Sequence, residues 1–376
     1  MIKIIEDRLA FDALEAPWRD LDAHPEVRPF QQFAWVAAWM RTVGFAAGRR
    51  LKVVTLWQDG RLIGVLPLCV NRFRGLRILE WIGARVSDYC GAIVDARTDE
   101  DVALRTLWDA VTKSGGFDIA RLSHVRTDTR LFDVLSDLNP WIETLEDAGG
   151  VPIVWASGEQ WLQQQTAGMR DRVKYNARRM RNAGFDARIC ASPESRARII
   201  DILVAQKRPW LAARGLSSVI DEPGGVEFLQ SAVAASAERG ELHLSTVENE
   251  DRIAACDLAF VRNGVIYSYI ASFDPEYRKY SFGRVLTDNL LMWGCDNGLR
   301  RLDLLLGAYD YKTEYNCTLE PVRTLVIPRG PIGRAALFLY RGRAAQASKS
   351  RGRGEVVDDG GALSRVSNAA ESHGGP

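Results

Sequence analysis

The stretch that decides the fold is residues 267–315, YSYIASFDPEYRKYSFGRVLTDNLLMWGCDNGLRRLDLLLGAYDYKTEY. Apolar and aromatic residues at its start belong to a predicted strand over 264–272. A helical pattern over 284–297 is closed by Gly298, a residue typical of helix ends. Residues 301–306, RLDLLL, predict the next strand. The stretch therefore predicts a strand, a helix and a second strand in direct succession.

A turn of small and basic residues precedes this helix and reads RKYSFG. The start of a helix presents N–H groups without acceptors and the positive end of the helix dipole, and both attract anions. Ser281 and Gly283 are small enough for a phosphate to approach the backbone, and Arg278 and Lys279 add positive charge. The turn therefore predicts a phosphate or pyrophosphate site, formed by Arg278, Lys279, Ser281, Phe282, Gly283 and Arg284.

The earlier part of the chain shows the same order of elements. A hairpin turn at Asp59-Gly60 and a helix closed by Gly116 correspond to a turn near Asp251 and the helix closed by Gly298. Two matching landmarks predict an internal duplication of an α/β domain, which differs from a solenoid of short repeats.

Length and composition agree with two domains. The chain has 376 residues, of which 47% are hydrophobic and 26% are charged. These values are ordinary for a globular protein of about two domains. We expect domains over 1–150 and 151–330, each with a mixed, mostly antiparallel sheet flanked by helices. Residues 341–376 are rich in Gly, Ser and Arg and predict a disordered tail.

Charge and residue counts exclude several classes of function. The net charge of +1 gives no strong nucleic-acid signal, because binding to a phosphate backbone needs an extended basic face. The six cysteines show no C-x-x-C spacing and the four histidines no zinc-ligand spacing, so no metal site is predicted. We find neither a signal peptide at the N-terminus nor an apolar run of the length that spans a membrane, and we expect a cytoplasmic protein.

The turn at 278–283 resembles the acetyl-CoA-binding motif of GNAT acetyltransferases, Gln/Arg-x-x-Gly-x-Gly/Ala at a helix N-terminus. Here the motif runs from Arg278 through Ser281 to Gly283, with Ser in place of the first Gly. Together with Asp274, RLD at 301–303 and DYK at 310–312, it is similar to tandem GNAT proteins related to cellulose-biosynthesis CelD-like proteins and to FemAB aminoacyltransferases.

This resemblance implies two tandem GNAT-like halves and an acyltransferase that uses acetyl-CoA or another acyl-CoA. The implied acceptor is an amine or hydroxyl of a small molecule or glycan, as in polysaccharide or cell-envelope metabolism. The CoA site is expected only in the second half. In the first half the helix start carries Asp99, Glu100 and Asp101, whose charges would repel a pyrophosphate.

Acyl transfer from a thioester needs a base for the acceptor and an acid for the departing thiolate. Asp274 is the first candidate base, although Asp-Pro also opens turns. Asp257 is the second, although its place between Cys256 and Leu258 also fits a side chain that faces solvent. Tyr311 or Tyr269 is the candidate acid, and Tyr311 also fits a packing role.

Three further features complete the predicted site. Tyr269 and Lys312 are candidate substrate ligands. Asp303 is a third, or a satisfied buried carboxylate, since it alternates with apolar neighbours. The basic run over 170–181, RDRVKYNARRMR, is either a ligand site or a solvated helix face.

Two other functions remain open from the sequence. A FemAB-like transferase would take its acyl group from an aminoacyl-tRNA and would need a wider basic surface. A non-catalytic GNAT-like binding protein would keep the fold without the chemistry, since fold alone does not establish function. The oligomeric state is not predicted.

Overall fold

The computed structural model describes residues 1–190, 192–213, 215, 218–307 and 314–350, with side chains as far as Gly342. Two compact units make up this part of the chain. The first is Met1–Asp147 together with the segment that begins at Glu320, and the second is Ala148–Leu319. We expected the second domain to extend to residue 330, but residues 320–328 pair with a strand of the first unit.

The strands in chain order are β1 (Ile2–Ile5), β2 (Arg50–Leu51), β3 (Val53–Gln58), β4 (Arg61–Leu66), β5 (Leu68–Phe73), β6 (Leu76–Trp81), β7 (Ile93–Val94), β8 (Ile119–Arg126), β9 (Trp141–Pro152), β10 (Asp186–Ile189), β11 (Leu242–Glu248), β12 (Ile253–Arg262), β13 (Val265–Phe273), β14 (Arg301–Leu306) and β15 (Thr318–Pro328).

The α-helices are α1 (Arg8–Asp12), α2 (Glu15–Asp22), α3 (Phe33–Trp39), α4 (Glu100–Ser114), α5 (Arg130–Ser136), α6 (Gly158–Gln164), α7 (Ala167–Asn182), α8 (Pro193–Ala212), α9 (Gly225–Glu238), α10 (Phe282–Asp296) and α11 (Gly330–Ser350). Short 3-10 helices cover Pro29–Gln31, Val219–Asp221 and Pro275–Tyr280, and a π-helical turn covers Met40–Gly44.

In the first unit, strands pair in the order β1-β3-β4-β7 and, separately, in the order β15-β8-β6-β5-β2. Asp59 and Gly60 adopt positive φ, as a two-residue hairpin turn requires, so the hairpin predicted from Asp-Gly is confirmed. The strand that returns from this turn is not continuous. Pro67 has no N–H for a sheet ladder, and the strand divides there into β4 and β5.

Helix α4 begins directly after Asp99 and ends before Gly115 and Gly116, and its start shows what the first unit's carboxylates do. Asp99 accepts a hydrogen bond from the Val102 N–H at 3.1 Å and caps the helix. Asp101 forms ion pairs with Arg105 and Arg130. The start of α4 therefore already carries its own anionic partner.

In the second unit, strands pair in the order β10-β11-β12-β13-β14-β9, and every pair is antiparallel except β13 with β14. Helix α10 connects these two parallel strands. Cys256 contacts Gln206 of α8, whereas the neighbouring Ala255 packs with Phe282 and Leu286 of α10. Because successive side chains on a strand point to opposite faces, α8 and α10 cover opposite faces of this sheet.

Helix α11 corrects part of the predicted tail. It runs from Gly330 to Ser350, so the first ten residues of the segment 341–376 are helical. The Gly and Ser content suggested disorder, but Ala, Leu and Arg at 334–345 favour helix. Residues 351–376 lie outside the described residues. Within the described part of the chain, no helix has the length and apolar character to cross a membrane.

Candidate active site

The parallel strands β13 and β14 separate partway along their length. Residues Val265–Tyr267 pair with Arg301–Asp303, and within the described residues the parallel pairing stops there. Strand β13 nevertheless continues to Phe273, and β14 continues to Leu306. Among the described residues, the two strands therefore form no ladder with each other beyond Tyr267 and Asp303, and we call this part of the sheet the opening between β13 and β14.

Irregular backbone on both strands accompanies this opening. Leu258 pairs with Ile270 and Ala259 with Ser268, so Tyr269 is an extra residue in a β-bulge of β13. On β14, Leu305 adopts a φ of 59°, an uncommon value for a residue other than glycine.

The side chain of Asp303 stabilises the irregular backbone of β14. Its Oδ1 accepts a hydrogen bond from the Leu305 N–H at 2.8 Å, and the residue is buried. The structure thus agrees with one of the two alternatives for Asp303, a buried carboxylate that accepts a hydrogen bond from the protein.

The start of α10 presents backbone rather than side chains. Ser281, in the left-handed region with a φ of 57°, precedes the first helical residue Phe282. The Phe282 ring is buried against Phe185 and stacks with Tyr280. Among the described residues, a Cβ added at Gly283 would meet no atom within 4 Å, so they leave the backbone there open to a ligand. Helix geometry leaves the N–H groups of these first residues without intrahelical acceptors.

Three cations surround this helix start. The side chains of Arg278 and Lys279 are exposed, and Lys279 Nζ lies 5.0 Å from the centroid of the Tyr280 ring. Arg284 contacts the carboxylate of Glu314. Positive charge and open backbone N–H groups therefore occur together at the predicted phosphate turn.

Asp274 has a structural role. It precedes the 3-10 helix Pro275–Tyr280, and its side chain accepts a hydrogen bond from the Glu276 N–H at 3.0 Å. This contact matches the turn-opening alternative for Asp-Pro. Its role as the first candidate base stays a prediction.

Asp257 is buried, which rules out the solvent-facing alternative to its role as a candidate base. Its position on β12 turns it toward the face covered by α10, where it is 3% exposed. Ser268 Oγ donates a long hydrogen bond of 3.5 Å to its Oδ1, while Oδ2 has no hydrogen-bond partner among the described residues. Burial raises the pKa of Asp257 to about 7, because the charged form loses its hydration.

The remaining predicted residues fall into two groups. Tyr269 is 1% exposed, and its ring centroid lies 5.4 Å from that of Phe260, which is a packing environment. Tyr311 and Lys312 lie outside the described residues. Tyr311 stays a candidate for the acid that protonates the thiolate, and Lys312 stays a candidate substrate ligand.

A buried ionic network that the sequence did not predict connects α7 to α10. Arg172 donates to both oxygens of Asp288 at 3.1 Å, and Tyr315 Oη donates to Asp288 Oδ1 at 2.7 Å. Burial raises the pKa of Asp288, and the Arg172 guanidinium opposes that rise. Arg172 Nε also lies 3.7 Å from Glu314, which contacts Arg284 at the helix start. The network fixes the helix whose N-terminus forms the candidate phosphate site.

Comparison with known proteins places this geometry in a family context. Residues 167–313, within the second unit, match a family model described as an acetyltransferase (GNAT) domain. No curated protein matches the chain. Most of the second unit is therefore similar in sequence to a GNAT acetyltransferase domain.

Solved structures support the fold of the whole chain. FemX shares 12% identity at a TM-score of 0.59, covering 91% of this chain and 100% of that chain. The C-terminal domain of a putative lysylphosphatidylglycerol synthetase from Agrobacterium fabrum shares 12% sequence identity at a TM-score of 0.55. That match covers 87% of this chain and 96% of that chain. A tandem GNAT protein from the clavulanic acid biosynthesis pathway shares 11% sequence identity at a TM-score of 0.50, and the match covers 88% of this chain and 99% of that chain. The predicted fold, two GNAT-like halves with mixed sheets, is confirmed.

Proposed function

We propose that the second unit transfers an acyl group directly from an acyl-CoA to an amine or hydroxyl acceptor. The observation that carries this proposal is the open backbone at Gly283, at the start of the helix that connects two separating parallel strands. A pyrophosphate on the N–H groups of α10 would direct the pantetheine arm toward the opening between β13 and β14. Arg278 and Lys279 would neutralise its charge.

Asp257 is the base that we favour. A carboxylate with a pKa of about 7 is half ionised at neutral pH and can accept a proton from an acceptor amine or hydroxyl. The acceptor then attacks the thioester carbonyl, the carbon–sulfur bond breaks, and the CoA thiolate takes up a proton. Backbone N–H groups of β13 beyond Tyr267 can polarise the carbonyl. Tyr311 is the candidate proton donor.

The family match and the resemblance indicate which acyl donors and acceptors to test first. Acetyl-CoA is the first donor to test because the matched family model is that of acetyltransferases. The resemblance to cellulose-biosynthesis proteins makes glycan amines and hydroxyls the first acceptors. A cytoplasmic location would give the enzyme access to acyl-CoA.

The test is a calorimetric and thermal-shift titration with acetyl-CoA, longer acyl-CoAs and free CoA. Wild type is compared with Gly283→Asp and with Gly168→Asp. Both glycines are the second residue of a helix, and an added Cβ meets no atom of the described residues within 4 Å at either, so both variants should fold. A ligand at 100 times its Kd should stabilise the fold by about 2.7 kcal/mol.

We expect Gly283→Asp to abolish CoA binding, because its carboxylate repels the pyrophosphate, and Gly168→Asp to retain it. If no CoA binds to wild type, the proposal fails. Acyl transfer that depends on an aminoacyl-tRNA would then favour the FemAB-like alternative. Absence of both activities would favour a binding protein.

A further inference from the structure

The arginines of the basic run over residues 170–181 differ in whether their side chains contact oxygen acceptors among the described residues. The Arg170 guanidinium donates to the carbonyl oxygens of Gln163 and Gln165. Arg172 is committed to Asp288. By contrast, neither Arg178 nor Arg179 forms an ion pair with a carboxylate among the described residues. These two cations are therefore available to an external anion.

Arg178 and Arg179 line a groove in the second unit. The groove has a volume of about 330 Å³ and is lined by Tyr175, Arg178, Arg179, Asn182, Ala183 and Tyr280. No carboxylate occurs in this lining. The volume lies at the lower end of the range for small-molecule sites, roughly 300–1,000 Å³.

The groove adjoins the candidate phosphate turn. Tyr280 is the residue directly before Ser281, and the Arg179 guanidinium lies 5.1 Å from the centroid of its ring. Tyr175 is 51% exposed, and Arg178 and Arg179 lie 6.0 and 5.8 Å from its ring centroid. Aromatic surface and unpaired guanidinium groups thus continue outward from the N-terminus of α10.

We propose that this groove binds the 3′-phosphorylated adenosine end of CoA, an inference that rests on the proposed function. Planar guanidinium groups of Arg178 and Arg179 suit a phosphate monoester, which offers several charged oxygens for paired hydrogen bonds. The exposed ring of Tyr175 offers a stacking surface to the adenine, because any base can stack on an aromatic face. The part of the basic run that faces the groove is a nucleotide subsite.

The test compares CoA with dephospho-CoA, which lacks only the 3′-phosphate, by calorimetry on the full chain. We expect wild type to bind CoA at least tenfold more tightly than dephospho-CoA. The variants Arg178→Gln and Arg179→Gln, and above all the double variant, should bring this ratio close to one. Arg181→Gln is the matched control, since Arg181 is exposed on the same helix and is not part of the groove lining. It should leave the ratio unchanged.

A second probe, 3′,5′-ADP, separates this inference from the proposed function because it lacks the pantetheine arm and the thioester. Binding of 3′,5′-ADP that the double variant abolishes supports the groove as the nucleotide subsite, whatever the outcome for acyl transfer. If wild type binds CoA and dephospho-CoA equally, or if the double variant keeps the ratio, the inference is overturned while CoA binding at Gly283 stands. If neither CoA nor 3′,5′-ADP binds, both proposals fall.

Discussion

Asp257 carries a free-energy cost that changes with pH. In the unfolded chain its carboxyl would titrate near its ordinary pKa of 3.8, but in the folded state burial raises the pKa to about 7. The folded state therefore binds more protons between these two values, and its stability falls as the pH rises from about 4 to about 7. Above pH 7 the full cost is present, and three pKa units correspond to about 4 kcal/mol.

Asp257→Asn should remove this pH dependence. We expect the variant to gain stability relative to wild type as the pH is raised from 4.5 to 8, by about 3 kcal/mol, because this scan covers about 2.5 pH units of the window. Urea unfolding at both pH values measures the difference. An equal difference at the two pH values would contradict the raised pKa.

The same substitution tests the proposed base. In wild type, kcat/KM should rise with pH to a plateau above pH 7, because only the ionised carboxylate accepts a proton. In Asp257→Asn, kcat should fall by about two orders of magnitude or more, and the rise of kcat/KM with pH should disappear. Asp274→Asn is the control, since asparagine also caps a turn and Asp274 is not expected to touch the acceptor. If the rise of kcat/KM with pH disappeared in Asp274→Asn instead, Asp274 would be the base.

Glu314 is a carboxylate at the predicted phosphate site. It contacts Arg284 and therefore competes with a pyrophosphate for that cation. We expect Glu314→Gln to bind CoA about three- to tenfold more tightly at low salt, with a smaller effect at high salt. Glu250→Gln, in the exposed turn between β11 and β12, removes the same charge and should not change the affinity. Equal gains in the two variants would indicate a general charge effect.

At the scale of elements, the contact between α7 and α10 depends on a buried charge. Arg172→Met would leave Asp288 buried without its counter-charge, and such losses typically cost about 3–5 kcal/mol. The double variant Arg172→Met/Asp288→Leu removes both charges and should recover a large part of this loss. Denaturant unfolding of both single variants and the double variant gives the coupling energy. Additive effects would show that the pair does not stabilise the helix contact.

Elements with a local signal were predictable. Asp-Gly set the β3–β4 turn, Asp99 set the start of α4, and RLDLLL gave β14 with its observed bounds. The bulge of β13 was not predictable, because an extra residue is defined only by the strand opposite. The buried position of Asp257 escaped prediction for the same reason, since the helix that covers its face lies elsewhere in the chain.

At the scale of the whole molecule, the two units differ in their helix starts. The start of α4 is capped by its own Asp99, and Asp101 is paired with Arg105, so we expect no CoA there. Calorimetry of the full chain should therefore give one CoA per chain. Gly283→Asp should abolish this single site. A stoichiometry of two would contradict the prediction that the first unit lacks a CoA site.

The sequence by itself determined the α/β class, the repeated order of elements, helices α4 and α10 and the small, basic turn before α10. Those features depend on neighbours along the chain: turn residues, helix caps and apolar periodicity. Only the tertiary structure decided the opening between β13 and β14, the burial that raises the pKa of Asp257, and which arginines of the 170–181 run have no carboxylate partner among the described residues. Each of these depends on residues distant in sequence, because desolvation and ion pairing act through space.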